Sequence, residues 1–183
     1  GRQLPLNPSI SLTLEKCRTV NNVEFSYEEE RTSIELSYLF ENREDRVFNE
    51  RIFHFLNSID DIVPFVKNLK LKISSHNTFP HSAGIASSAS AFAALACSLV
   101  HIEQLVFNKE KLDKNKISLL ARLGSGSACR SVEGPIMHWG RIIDEDSSEE
   151  YATKNSDIHM NFQKLQNTIL IIDSSKKSIL SSA

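Results

Sequence analysis

Three segments near the amino end alternate apolar and polar residues with a period of two: "SISLTLEKC", "NVEFSYEE" and "TSIELSYLF". Successive side chains of an extended strand point to opposite faces, so this pattern predicts half-buried strands. The short polar turns between them predict neighbours in a largely antiparallel arrangement. From Val47 to Lys67 the period changes: Val47, Phe48, Ile52, Phe55, Leu56 and Ile59 recur at helical spacing, and "SIDDIVPF" predicts a break between two helical pieces. "LKLKISSHN" returns to strand alternation. A long helix then opens near Ile85 in "NTFPHSAGIASSASAFAALA", with Phe92, Leu95, Ala96, Leu99, Ile102 and Val106 as its apolar stripe. A second helix around "KNKISLLARL", the tight loop "GSGSAC" and the strand "GPIMHWGRI" follow. The acidic connection "DEDSSEEYATKNSD" then leads to "NTILIID", read as the start of another strand. The order βββ-α-β-α-α-β-β predicts an α+β fold, a mixed sheet with helices on one side.

Composition narrows the possibilities. At 183 residues and 40% hydrophobic content the chain buries one core, or one domain and the start of a second. A formal charge of −2 supplies no field to attract nucleic acid or an anionic membrane, so any bound anion must be held by local groups. Cys17, Cys97 and Cys129 are widely spaced, without a C-x-x-C pair, which predicts a reducing cytoplasm and neither a disulfide framework nor a thiolate metal site. The apolar stretch from Ile85 to Val100 is rich in Ser and Ala and lies mid-chain, unlike a signal peptide or a membrane span; a soluble protein is expected. The chain opens without methionine and stops just after "NTILIID", so a piece of a longer protein is expected.

Chemistry concentrates where the glycines do. Five of six, Gly84, Gly124, Gly126, Gly134 and Gly140, fall between residues 84 and 140. Pro80 ends a strand, Gly84 permits a tight turn, and the following helix begins with unpaired amides. One serine suffices to cap a helix. Ser87, Ser88 and Ser90, set beside Ala83, Ala86 and Ala89, instead leave a bare pocket of amide and hydroxyl donors suited to an oxyanion such as phosphate. A simple serine cap is the alternative. The second cluster, "RLGSGSACRS", joins a glycine-loosened loop carrying Ser125 and Ser127 to Arg130, whose planar fork matches phosphate oxygens. Its alternative is a helix cap beside a surface arginine. Two such loops in one small chain can hold a nucleotide polyphosphate and a phosphorylated acceptor. A Walker A loop, a dinucleotide fingerprint and a G-x-S-x-G elbow are all missing from the sequence. Asp144, Glu145, Asp146 and Asp173 read as solvated or strand-end charges. His76, His81 and His138 lack ligand spacing and read as satisfied or exposed, so no metal site is assigned to side chains here.

"NTFPHSAGIASSAS" resembles the ATP loop P-x-x-x-G-[LI]-x-S-S-A-S of the GHMP kinase superfamily. "LGSGSACRS" is similar to the signature of one branch, mevalonate diphosphate decarboxylase, as are "LPLNPSISLTL", "WGR" and "KKSILSS" in their order along the chain. The resemblance implies a GHMP-kinase-type amino-terminal domain over residues 1–166 and the start of a second α+β domain over 167–183. It implies ATP and Mg²⁺ as cofactors, a phosphorylated small-molecule substrate, and a cytoplasmic homodimer. The implied reaction phosphorylates the 3-hydroxyl of mevalonate 5-diphosphate and then expels phosphate and carbon dioxide. Gly84, Ile85, Ala86, Ser87, Ser88 and Ser90 match the ATP loop; Ser125, Ser127 and Arg130 match the acceptor site, with Arg130 positioning the acceptor. Asn7, Ser9 and Ser11 match a strand lining the cleft, and Ser181 and Ser182 a loop closing over substrate, although "KKSILSS" is one residue longer than usual. Ala91 stands where glycine is common. The family's catalytic aspartate and a Tyr-Trp-Gly-Lys segment match nothing in these 183 residues, so the segment alone is expected to release no carbon dioxide. A related phosphotransferase, acting on mevalonate or its monophosphate, and a non-catalytic phosphate-binding fragment are the alternatives.

Overall fold

The alternating segments form β1 (Ser9–Leu12), β2 (Thr19–Tyr27) and β3 (Glu35–Phe40), followed by the short β4 (Arg43–Glu44). These belong to a computed structural model that describes residues 3–80, 85–141, 147–156, 158–162 and 165–170. The helical periodicity yields α1 (Arg46–Ser58), and after the predicted break Pro64–Asn68 forms a 3₁₀ turn. There follow β5 (Leu69–Asn77), α2 (Ser87–Phe107), α3 (Lys114–Gly124), β6 (Ile136–Trp139) and β7 (Thr153–Lys154).

The pairing differs from the expected run of neighbouring antiparallel strands. β2 and β3 do not pair with each other: both flank β5, β2 antiparallel and β3 parallel, in a sheet of order β2-β5-β3-β4. β1 leaves that sheet altogether and pairs antiparallel with β6 in a second sheet, β1-β6-β7. Period two fixes which face of a strand is buried but not which strand it meets. Because α1 carries the chain back along the sheet between β3 and β5, those two strands run parallel.

Along β5, Leu69, Leu71, Ile73 and Ser75 are buried while Lys70 and Lys72 face solvent, so the helices cover one side as predicted. In α1 the buried stripe is Ile52, Phe55 and Leu56; Val47 lies in the first turn and faces solvent, contrary to expectation. Phe92 of α2 is the centre of the aromatic core, with Phe48 and Phe55 at ring separations of 5.7 and 5.2 Å. Burying such a side chain contributes about 1.5–3 kcal/mol. α2 is long and apolar enough to cross a membrane, but Phe92, Leu95, Ala96, Leu99 and Ile102 are buried inside the domain. "NTILIID" forms no strand over its described part: residues 167–170 are irregular, and 171–173 lie outside the described residues.

α3 lies close against α2 because it ends in glycine. A Cβ on Gly124 would stand 2.1 Å from the Phe92 ring. The chain then turns through Gly126–Ser131 in a 3₁₀ helix, where the sequence predicted a tight loop, and comes to rest beside the opening of α2.

Candidate functional site

Among the described residues, two of three α-helices are capped by aspartate. Asp45 Oδ1 accepts from Phe48 N at 3.0 Å, and Asp113 Oδ1 accepts from Lys116 N at 2.9 Å. α2 is not: its N-cap is Ala86, and no side chain caps it, although three serines stand in its first turns. Ala86 itself is left-handed, with φ 50° and ψ 44°. A residue with a Cβ pays on the order of 1 kcal/mol for that conformation, which is why the helix begins at Ser87 and not at Ile85. The serine cap is thereby excluded. Ser88 Oγ is buried without a partner, and Ser90 Oγ instead accepts from Thr19 N at 3.0 Å, tying α2 to β2.

The turn after α3 is held from below. Ser118 Oγ, fully buried on α3, donates to Cys129 O and accepts from Ala152 N, each at 2.9 Å. Arg122, 1% exposed, donates from Nε to Glu150 O and from Nη2 to Glu150 Oε2, both at 2.6 Å, and so holds the segment that packs behind the turn. Ser125 acts through its backbone: its carbonyl accepts from Ala128 N at 2.6 Å. Burial pushes the Cys129 thiol up to about 11 against the pull of Arg130 and Arg122, and burial also raises the Cys97 thiol. Neither is a thiolate nucleophile at neutral pH.

The opening of α2, the 126–131 turn and β1 converge on one open cavity of about 560 Å³. Ile85, Ala86 and Ser90 line one side, Ser127 and Arg130 another, and Ser11 a third. Arg130 Nη1 donates to Ser9 Oγ at 2.6 Å, while its Nε and the Ser11 hydroxyl are buried without protein partners. The surface-arginine alternative does not describe this side chain. Unpaired buried donors are costly, and two of them, Ser11 Oγ and Arg130 Nε, belong to residues that line this cavity and suit a polar ligand.

Not every predicted residue reaches it. Ser87, Ser88 and Ser125 do not line it, and neither does the exposed Asn7. Gly84, Ser181 and Ser182 lie outside the described residues. Of the histidines, His138 is buried and its Nε2 lies 2.5 Å from Thr153 Oγ1, while His76 is exposed. Sequence reasoning missed Ser118, the buried Arg122, and Trp139, whose ring lies 5.7 Å from the Arg130 guanidinium. No periodic signal distinguishes a buried arginine on a helix from a surface one. Ser11, matched by resemblance to a cleft-lining strand, does line the cavity.

A profile of the diphosphomevalonate decarboxylase-like N-terminal domain matches residues 1–152. The diphosphomevalonate decarboxylase of Saccharomyces cerevisiae is 32% identical over 190 residues, covering 97% of this chain and 46% of that protein. Among solved structures, the mevalonate diphosphate decarboxylase of Enterococcus faecalis superposes with a TM-score of 0.65 at 30% identity, covering 85% of this chain and 45% of that one. A related structure described as a complex with MVAPP, AMPPCP and magnesium gives a TM-score of 0.64 at 30% identity, with 85% and 44% covered. The chain spans about half the length of the curated relatives it matches.

Proposed function

This chain belongs to the diphosphomevalonate decarboxylase-like N-terminal domain family, and from that premise we propose that its protein decarboxylates mevalonate 5-diphosphate to isopentenyl diphosphate at the expense of ATP. The observation that carries the proposal is the cavity in which the uncapped α2 meets Arg130. The free amides that open α2, beside Ile85, Ala86 and Ser90 in the cavity lining, suit the phosphates of ATP. Magnesium, when bound with the nucleotide, neutralises phosphate charge. Arg130, Ser127 and Ser11 suit the anionic groups of the acceptor.

The division of labour follows from position. Donors on the α2 side orient the nucleotide, and the fork of Arg130 fixes the acceptor, so that the acceptor's 3-hydroxyl and the transferred phosphoryl group meet in line. Once phosphorylated, the tertiary carbon loses phosphate with the C–O electron pair. The electrons of the broken bond to the carboxylate form the new double bond as carbon dioxide departs. The cationic Arg130 opposes the negative charge gathered on the acceptor throughout.

The test uses the full-length protein with ATP, Mg²⁺ and mevalonate 5-diphosphate. Carbon dioxide and isopentenyl diphosphate should form in equal amounts with ADP. ADP accompanied by a phosphorylated acceptor and no gas would identify a phosphotransferase instead. No acceptor-dependent ADP would overturn both.

A further inference from the structure

The strongest unexplained arrangement is what holds Arg130. β1 and β6 pair in a register that sets Ser9 opposite Trp139. The Arg130 guanidinium touches both members of that pair: Nη1 donates to Ser9 Oγ at 2.6 Å, and the guanidinium carbon lies over the indole, 5.7 Å from its centroid. Trp139 is itself fixed, 8% exposed, with Nε1 donating to Glu149 O at 2.8 Å. Nε of Arg130 is buried without a protein partner, and Nη2 makes no hydrogen bond among the described residues.

We propose that Ser9 and Trp139 are positioning residues for Arg130, a cross-strand clamp that occupies Nη1 and one face of the guanidinium and leaves the Nε–Nη2 edge to the acceptor. This rests on the assignment of Arg130 to acceptor binding. An arginine side chain carries large rotamer entropy, and ordering it on binding would weaken the complex. A hydroxyl on one nitrogen and a ring beneath the plane remove most of that freedom in advance. Ser9 alone would leave the plane free to rotate about its hydrogen bond. Trp139 alone would fix the plane but not the direction of the fork.

The experiment measures steady-state kinetics and thermal unfolding of full-length variants. Ser9→Ala should raise KM for mevalonate 5-diphosphate about five- to tenfold, in line with the loss of one charge-assisted hydrogen bond. KM for ATP and the unfolding temperature should stay near wild type. Ser9→Thr, which retains the hydroxyl, should restore the acceptor KM. Trp139→Phe, which keeps a ring under the guanidinium, should be milder than Trp139→Leu. Arg130→Gln separates the two levels of inference. If Arg130→Gln is damaging while Ser9→Ala and Trp139→Leu bind the acceptor normally, the clamp is wrong and the site stands. If Arg130→Gln is silent, the site assignment fails and the clamp with it. A loss shared equally by both substrates, with a lowered unfolding temperature and no rescue by threonine, would make Ser9 structural and overturn the proposal.

Discussion

Arg130 has a geometry that lysine cannot copy. Its guanidinium is a planar fork, partly spent on Ser9 and stacked on Trp139, whereas an ammonium at the same place is a point charge without an edge. Arg130→Lys in the intact enzyme should therefore lower kcat/KM for the acceptor by at least about tenfold, near 1.4 kcal/mol of transition-state stabilisation. Its unfolding temperature should change little. Wild-type kinetics would remove Arg130 from the site, and a large thermal loss would make it structural. Arg130 and Ser127, singled out in the sequence beside glycines, both line the cavity. Ser88, read in the sequence as a phosphate donor, does not line it. Trp139 was not legible, since its contact with Arg130 depends on the pairing of β1 with β6, which no local pattern encodes.

Between α2 and α3 a single missing methyl sets the distance. Alanine has the higher helix propensity, by about 1 kcal/mol over glycine. At Gly124 that gain is overridden, because the added Cβ would lie 2.1 Å from the Phe92 ring, itself held among Phe48 and Phe55. Gly124→Ala should destabilise the fold by about 1–3 kcal/mol, the usual cost of overpacking. The loss should show as a lower midpoint in denaturant unfolding. Adding Phe92→Leu should recover part of it, and an additive double variant would show that the clash is relieved elsewhere. The helices were read correctly as elements, α1 and α3 nearly to their ends, since apolar spacing dominates inside a helix. The start of α2 was read two residues early because the left-handed turn at Ala86 has no signature without glycine. The sheets were misread as one because alternation marks faces, and partners are chosen by the crossover through α1.

At the scale of the domain, the buried carboxylate of Glu103 joins the helical layer to itself. Glu103 of α2 accepts from Lys116 of α3 at 2.7 Å and from Lys109 at 2.9 Å. Burial works to raise its pKa, but the hydrogen bonds and charges of the two lysines together outweigh it, leaving Glu103 below the usual carboxylate range. A folded value below the unfolded one means that the group stabilises the fold above the unfolded pKa and loses that effect as pH falls through the folded one. Glu103→Gln should therefore unfold at a lower temperature than wild type at pH 7, with the gap closing below about pH 4. A gap that persists in acid would assign the effect to packing. The pairing of β1 with β6 acts over a still longer range, since Ser9 and Arg130 are 121 residues apart in sequence. Contacts of such separation must repay the entropy of closing a long loop. β1 is made well before β6, and Ile10 and Leu12 stay exposed even once the two strands have paired. On the proposed role of Arg130, the acceptor site is therefore complete only once β1 and β6 have met.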